Sequence, residues 1–203
     1  MLAVLAIQGG PHQSVAAVLH DMAAVNASVR TYRVRIHFDA KVRTFVTLPL
    51  SLNATLYFKH PDKTQIVFDT VPQLAKGFQN FYASTGTPAT WQKTYIVALE
   101  PLEPGQTNTI TLRLTPRAPA SLDHALMTVD TSTWGIVIQQ WYYKDGSTIN
   151  VTQFNEVASG HVLPNRQLAD FDFPRYKAHV EATYGAYEIN VPIPDSIFKT
   201  PQQ

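Results

Sequence analysis

Apolar residues recur at helical spacing between Ser14 and Val29. A spacing of three and four residues places them on one face of a helix, and the Ser14 hydroxyl can cap the first turn. The segment therefore predicts one amphipathic helix. The apolar positions are Val15, Val18, Leu19, Met22, Val25 and Val29.

The hydrophobic pattern changes to a period of two at Thr31. Alternation of this kind places one set of side chains on each face of a β-strand. One predicted face is apolar and the other is basic and solvated. The apolar face has Tyr32, Val34, Ile36 and Phe38, and the basic face has Arg33, Arg35 and His37.

A hairpin and a short helix are predicted next. Residues 52–58 and 64–69 alternate on either side of the turn His60-Pro61-Asp62-Lys63, which has the composition of a hairpin connection. Residues 71–84 place Leu74, Phe78, Phe81 and Tyr82 at helical spacing behind Pro72, a residue tolerated in a first helical turn.

The rest of the chain has the composition of short strands separated by prolines and tight turns. The Asp145-Gly146 pair is its strongest hairpin signal. Strands that follow strands favour antiparallel pairing, so we expect a mainly β (α+β) fold of about 10–11 strands. The predicted strands lie at 91–99, 108–115, 121–130, 134–143, 147–154, 157–163, 171–182 and 186–191.

Composition supports a folded chain with a lightly charged surface. Apolar residues make up 45% of the 203 residues and charged residues only 15%, against about 25% charged in an average globular domain. Thr, Gln and Asn therefore carry much of the surface polarity. We expect residues 14–203 to form a single domain.

Charge distribution argues against nucleic acid as a partner. The net charge is +1, and the 16 basic residues are spread along the chain without a cluster. Nucleic-acid binding depends on releasing counterions from phosphates that a basic surface contacts. The chain has no cysteine, so disulfides and thiolate metal sites are excluded.

The first thirteen residues are expected to be a tail. Met1–Ile7 is apolar, but it has no basic flank and is too short to span a membrane. It is the remnant of a secretory signal, a short buried strand or a vector-derived tail.

Several motifs, taken in order, resemble the LolA/LolB superfamily over roughly residues 14–191. The predicted helix, strand and first hairpin match the opening of that family, and the Asp-Gly hairpin and the segment after it match its end. The motifs are Leu56-Tyr57-Phe58-Lys59-His60-Pro61-Asp62-Lys63, Trp141-Tyr142-Tyr143-Lys144-Asp145-Gly146, Leu163-Pro164-Asn165 and Leu168-Ala169-Asp170-Phe171-Asp172-Phe173.

The resemblance implies an incomplete antiparallel β-barrel whose concave face is covered by helices. In this family the concave face forms an apolar cavity for acyl chains of lipoproteins or free lipids. It further implies a periplasmic or otherwise extracytoplasmic protein for transport or sorting in the cell envelope. We expect a monomer without a cofactor, and a membrane-anchored partner protein is a further candidate. The same fold used as an envelope sensor or interaction module is the alternative.

Large apolar residues on the expected inner face are the candidate lipid-binding residues. A long sheet with one apolar face needs a cover, and the sequence supplies only one strong helix and one weak helix. Some of these residues can instead form a dry core, and the aromatic residues around the second helix can belong to a mobile lid or an ordinary packed helix. The candidates are Leu56, Phe58, Ile66, Phe68, Leu112, Leu114 and Ile138 on strands, with Phe78, Phe81 and Trp91 near the predicted lid. Ile136 is expected on the same inner face.

His60 departs from the family pattern. Carrier members have an arginine before the proline that ties the lid to the sheet, and this chain has His60 there. An imidazole offers at most two donors where a guanidinium offers five, and its charge changes near neutral pH. The resemblance therefore implies a lid latch at His60 that is weaker and pH-sensitive.

Sequence motifs for catalysis or metal binding are absent. The seven histidines form no His-x-His or His-Glu-x-x-His pattern, and neither Gly-x-Ser-x-Gly nor a glycine-rich phosphate loop occurs. We therefore expect no enzyme and no metal. Asp170 and Asp172 share a strand face, so a cation site at this pair is the alternative. A hydrolase would need two or more of His37, His60, His124, His161 and His179 to converge with an aspartate.

Overall fold

The computed structural model describes residues 14–70, 86–101 and 108–199, so the predicted tail (1–13) and the predicted helix (71–84) lie outside the described residues. The described helices are α1 (Val15–Val25), α2 (Pro88–Thr94) and a 3₁₀ helix (Asp195–Lys199). The strands are β1 (Thr31–Arg43), β2 (Thr47–Lys59), β3 (Lys63–Phe68), β4 (Tyr95–Leu99), β5 (Thr109–Pro116), β6 (Leu122–Asp130), β7 (Gly135–Tyr143), β8 (Thr148–Ala158), β9 (His161–Phe173), β10 (Tyr176–Tyr184) and β11 (Glu188–Ile189).

These eleven strands form one antiparallel sheet that does not close into a barrel. The strand order is β3-β2-β1-β10-β9-β8-β7-β6-β5-β4, and β11 pairs with β1 outside this path. In the described part of the chain, β3 and β4 are the two edges, and they do not pair with each other. The prediction of an incomplete antiparallel sheet of 10–11 strands is confirmed.

Strand β1 shows the predicted two-faced pattern. Val34, Ile36 and Phe38 are buried on its inner face, while the intervening residues are exposed. On the exposed face, Arg33 pairs with Glu188 and Arg35 pairs with Asp69. The apolar face of β1 therefore packs against the core, as the alternation predicts.

The pairing of β1 with β10 joins the two parts of the sheet. Strands β1 to β3 form a meander at one end, and β4 to β10 form a longer meander at the other. The junction runs from Ile36 opposite Tyr184 to Arg43 opposite Lys177. Because β1 also pairs along its whole length with β2, this junction sets where the first meander lies relative to the second.

Helix α1 begins and packs as predicted but ends four residues early. The Ser14 hydroxyl accepts a hydrogen bond from the Ala17 amide at 3.2 Å, which confirms Ser14 as the N-cap. The C-cap after Val25 is Asn26, whose side-chain nitrogen donates to the Val162 carbonyl oxygen (2.9 Å) and whose side-chain oxygen accepts from the Val162 amide (3.1 Å). These two bonds fix the end of α1 to β9, and the buried residues of α1 join the core of the sheet.

The prediction of one strand over residues 91–99 is wrong in its first half. Residues 88–94 form α2, and β4 begins at Tyr95. Pro88 suits a first helical turn, the Thr87 amide donates to the Thr90 hydroxyl, and the Thr90 hydroxyl donates to the Thr87 carbonyl oxygen. Local capping therefore outweighs the strand composition of this segment.

Asn190 fixes the chain after β11 to the start of β1. Its φ of 57° is in the left-handed region, where asparagine is tolerated better than most residues. Its side-chain oxygen accepts from the Arg30 amide at 2.7 Å, and its side-chain nitrogen donates to the Ser28 carbonyl oxygen at 3.1 Å. Asn190 therefore contributes both through its left-handed backbone conformation and through its side-chain hydrogen bonds.

We expect Asn190→Ala to lower the free energy of unfolding more than Asn190→Gly. Both substitutions remove the side-chain hydrogen bonds, at about 1–2 kcal/mol in total. Alanine also carries a left-handed backbone penalty that glycine avoids, which should add about 1 kcal/mol. Urea denaturation of the two variants measures the difference. Equal destabilisation would contradict the assigned role of the backbone conformation.

Candidate binding cavity

A cavity of about 260 Å³ lies against the inner face of the sheet. Its lining residues come from β1, β2, β3, β6, β7, β8, β9 and β10, and from α2 with the residues before it. The two meanders that the β1–β10 pairing joins therefore both contribute to the wall of one space.

The cavity wall is mainly apolar, and among the described lining residues none carries a charge. Aromatic rings pack along one side, where Tyr32 stacks on Phe58 at 5.1 Å between ring centres and Phe38 lies 5.6 Å from Phe68. Small side chains also line the cavity, among them Ala169 on β9 and Ala182 on β10, which pairs directly with Phe38. The wall therefore suits an uncharged, apolar ligand.

Helix α2 forms one side of the cavity and connects the two edges of the sheet. Trp91 is buried and lines the cavity. At the β3 edge, the Thr87 hydroxyl donates to the Pro61 carbonyl oxygen at 3.0 Å. At the other edge, α2 leads directly into β4, and the Arg117 amide donates to the Thr94 carbonyl oxygen at 2.9 Å. The helix therefore spans the gap that the open sheet leaves.

Nine of the ten candidate residues from the sequence divide into three groups. Four of them line the cavity: Leu56, Phe58, Phe68 and Trp91. Three others are buried in the packed core instead: Ile66, Leu112 and Leu114. Phe78 and Phe81 lie outside the described residues.

The expectation that Ile138 lies on the inner face is wrong. Thr128 pairs with Ile138, but the next residue, Val129, pairs with Ile136, so Val137 is an extra residue on β7. A bulge of this kind reverses the alternation of inner and outer side chains. Ile136 consequently lines the cavity, and Ile138 is 40% exposed on the outer face.

His60 lies beside the connection between the sheet and α2 but does not make it. Its imidazole is exposed and forms no hydrogen bond with the described residues. The neighbouring Pro61 provides the carbonyl oxygen that Thr87 contacts. The role of His60 as a pH-sensitive latch stays a prediction.

The turn that contains His60 is also held by the C-terminal segment. The Nζ atoms of Lys59 and Lys63 lie 2.9 and 3.2 Å from the Asp195 carboxylate. Hydrogen bonds from these two ammonium groups favour the ionised carboxylate and hold the pKa of Asp195 below its ordinary value. These two ion pairs therefore join the β2–β3 turn, which includes Pro61, to the C-terminal segment.

A polar cluster on the cavity wall was not anticipated. Gln139, Gln153 and Gln167 lie on three neighbouring strands, β7 to β9, and all three line the cavity together with Tyr184 of β10. Strand glutamines were expected at the surface. The one signal for them in the sequence is their regular separation of 14 residues along successive antiparallel strands.

Histidine and acidic side chains form separate surface pairs. The Asp170 carboxylate lies 2.7 Å from Nδ1 of His179, and the Asp172 carboxylate lies 2.6 Å from Nζ of Lys177. In residues 14–70, 86–101 and 108–199, no three histidine, aspartate or glutamate side chains come together to hold a metal ion. The acidic pair Asp170 and Asp172 is therefore divided between two basic partners.

An exposed apolar tip lies outside the cavity. Phe45, in the β1–β2 connection, is fully exposed. Val46, Leu48 of β2 and Arg43 of β1 are exposed near it.

No helix among the described residues has the length and apolar character needed to cross a membrane.

Comparison with known proteins identifies the fold. No family model and no curated protein matches this sequence. A protein of the DUF1329 family from Desulfovibrio piger has a TM-score of 0.68 at 13% identity, over 91% of this chain and 96% of that one.

Two further solved structures give the same result. A LolA superfamily protein from Nitrosomonas europaea has a TM-score of 0.62 at 12% identity, over 92% of this chain and 97% of that one. A domain assigned to outer membrane lipoprotein sorting from Vibrio parahaemolyticus has a TM-score of 0.63 at 8% identity, over 91% and 97%. The chain therefore has a LolA-like fold, in which an open antiparallel sheet carries helices on its inner face.

Proposed function

We propose that this protein binds an acyl chain of a lipid or lipoprotein in the cavity beneath α2, for transport or sorting in the cell envelope. The observation that carries the proposal is the cavity of about 260 Å³, whose described lining residues are mainly apolar and carry no charge. For comparison, an engineered apolar cavity of about 150 Å³ is sufficient to bind benzene. A LolA superfamily protein and a lipoprotein-sorting domain share the fold, which supports the envelope as the location.

Hydrophobic burial is the proposed source of affinity. Each methylene group transferred from water into the cavity contributes about 0.8 kcal/mol. A polar head group stays at the surface in this scheme, because the described cavity wall offers no charged partner for it. The proposed activity is thus binding by a monomer, without chemical conversion of the ligand and without a cofactor.

Release and uptake are proposed to occur by movement of α2. The hydrogen bond between Thr87 and Pro61 is exposed, so water can replace it at little cost in free energy. Trp91 is buried on the cavity side of the same helix. Displacing α2 therefore opens the cavity at the gap between the two edge strands.

A second candidate function is binding of a membrane-anchored protein partner, and the exposed tip at Phe45 favours it. Contiguous exposed apolar patches mark interaction sites, whereas single exposed residues do not, and Phe45, Val46 and Leu48 lie within four residues of the chain. The two functions are separable in the native host. Under the partner function, Phe45→Ser abolishes activity in cells while uptake of fatty acid by the purified protein is unchanged.

The affinity for saturated fatty acids should increase with chain length and then level off. Burial of each additional methylene predicts a Kd about fourfold lower, until the chain fills the cavity. Isothermal titration calorimetry or displacement of a fluorescent fatty acid measures the series. Absence of binding at every length would overturn the proposed function, and a steady increase without a plateau would contradict binding in an enclosed cavity.

Ala169→Phe should weaken fatty-acid binding by about tenfold or more. Its ring would occupy the space of at least two ligand methylenes. Ala169 is only partly buried and lines the cavity, so the substitution has room to be accommodated.

The matched control for this variant is Ala98→Phe. Ala98 is exposed on the outer face of β4, and the variant should bind fatty acid like the original protein. Thermal unfolding of both variants shows whether they fold. Unchanged affinity in a folded Ala169→Phe variant would place the ligand elsewhere.

A further inference from the structure

The polar cluster in the cavity is one connected hydrogen-bond network. The Gln139 and Gln167 side-chain nitrogens donate to the Gln153 side-chain oxygen at 3.0 and 2.7 Å. The Tyr184 hydroxyl donates to the Gln167 side-chain oxygen at 2.8 Å. Four neighbouring strands, β7 to β10, each contribute one residue.

The direction of every bond in this network follows from one backbone carbonyl. The Ile136 carbonyl oxygen can only accept, and it accepts from the Gln153 side-chain nitrogen at 3.0 Å. The Gln153 side-chain oxygen must therefore point the other way, and both neighbouring glutamines must present their nitrogens to it. Asn155 supports this orientation by accepting from the Gln153 nitrogen at 2.8 Å and donating to the same Ile136 oxygen at 2.8 Å.

Gln139 has hydrogen-bonding capacity left over in this arrangement. Its NH₂ group carries two hydrogens, one of which is donated to Gln153. With the described residues, the other hydrogen and the side-chain oxygen of Gln139 make no further bond. Since Gln139 lines the cavity, one donor and one acceptor of the same amide remain available to a ligand.

We propose that Gln139 forms a polar subsite that binds a hydroxyl group on the hydrocarbon chain of the ligand. This inference rests on the proposed function, and it specifies the lipid as a hydroxylated one. A hydroxyl accepts from the free N–H and donates to the free oxygen, whereas an ester carbonyl can only accept. An ionised carboxylate or phosphate is disfavoured, because no described residue of the cavity wall can neutralise it.

Selectivity follows from the cost of leaving the amide without partners. A plain hydrocarbon chain that fills the cavity separates Gln139 from water and replaces none of its hydrogen bonds. A chain with a hydroxyl at the matching depth restores them. Sites built to bind a hydroxyl discriminate against analogues that lack it for this reason.

The test compares one saturated fatty acid, of the length that fills the cavity, with its isomers that carry a single hydroxyl at successive carbons. Displacement of a fluorescent fatty acid gives the Kd of each. At least one isomer is expected to bind about tenfold more tightly than the plain acid.

Gln139→Met and Gln140→Met are matched variants for the same assay. Methionine keeps the length of the side chain but cannot make these bonds, and the Gln153 oxygen retains its bond from Gln167. Gln140 is the next residue along β7 and bonds to Asn150 on the outer face. Gln139→Met should remove the preference for the hydroxylated isomer, while Gln140→Met should keep it.

The outcomes separate this inference from the proposed function. If neither the plain acid nor any isomer binds, the proposed function fails and the inference fails with it. If the plain acid binds and no isomer binds more tightly, only the hydroxyl subsite is overturned. A preference that survives in a folded Gln139→Met variant would also overturn the assignment to Gln139.

Discussion

The pairing of β1 with β10 is the interaction on which the cavity depends. One wall comes from β1 to β3 and the other from β6 to β10, and this junction connects them. The sheet nevertheless remains open, because β3 and β4 end it without pairing with each other. An open sheet leaves apolar surface that must be covered. Helix α2 provides cover at the gap, and a cover held by an exposed hydrogen bond can also move.

Much of the fold was predictable because the signals are local. The alternation in β1, the Ser14 cap and the Asp145-Gly146 turn each act within a few residues, and the structure confirms them. The β1–β10 junction joins segments more than a hundred residues apart, so only the family resemblance indicated the overall architecture. The strand prediction failed at Trp91, where two local signals compete. The segment has strand composition, but the cap formed by Thr87 and Thr90 favours a helix.

The cavity wall was less predictable than the fold. Ile136, Val137 and Ile138 are three successive apolar residues, so hydrophobicity fits either face, and the bulge decides which side chains point inward. The glutamines were missed for the opposite reason. Polar strand residues are normally solvated, but Gln139 and Gln153 lie in the cavity because neighbouring strands supply their partners. Such a network requires the strand register, which residue types alone do not contain.

The most direct measurement is native mass spectrometry of the protein purified from its native host, followed by organic extraction and identification of any bound mass. If the cavity holds an acyl chain, the protein should carry a fatty acid or acyl lipid that extraction removes. Ala169→Phe should reduce the bound fraction, because Ala169 lines the cavity. A protein that carries no such mass, and that also takes up no added fluorescent fatty acid, would contradict acyl-chain binding.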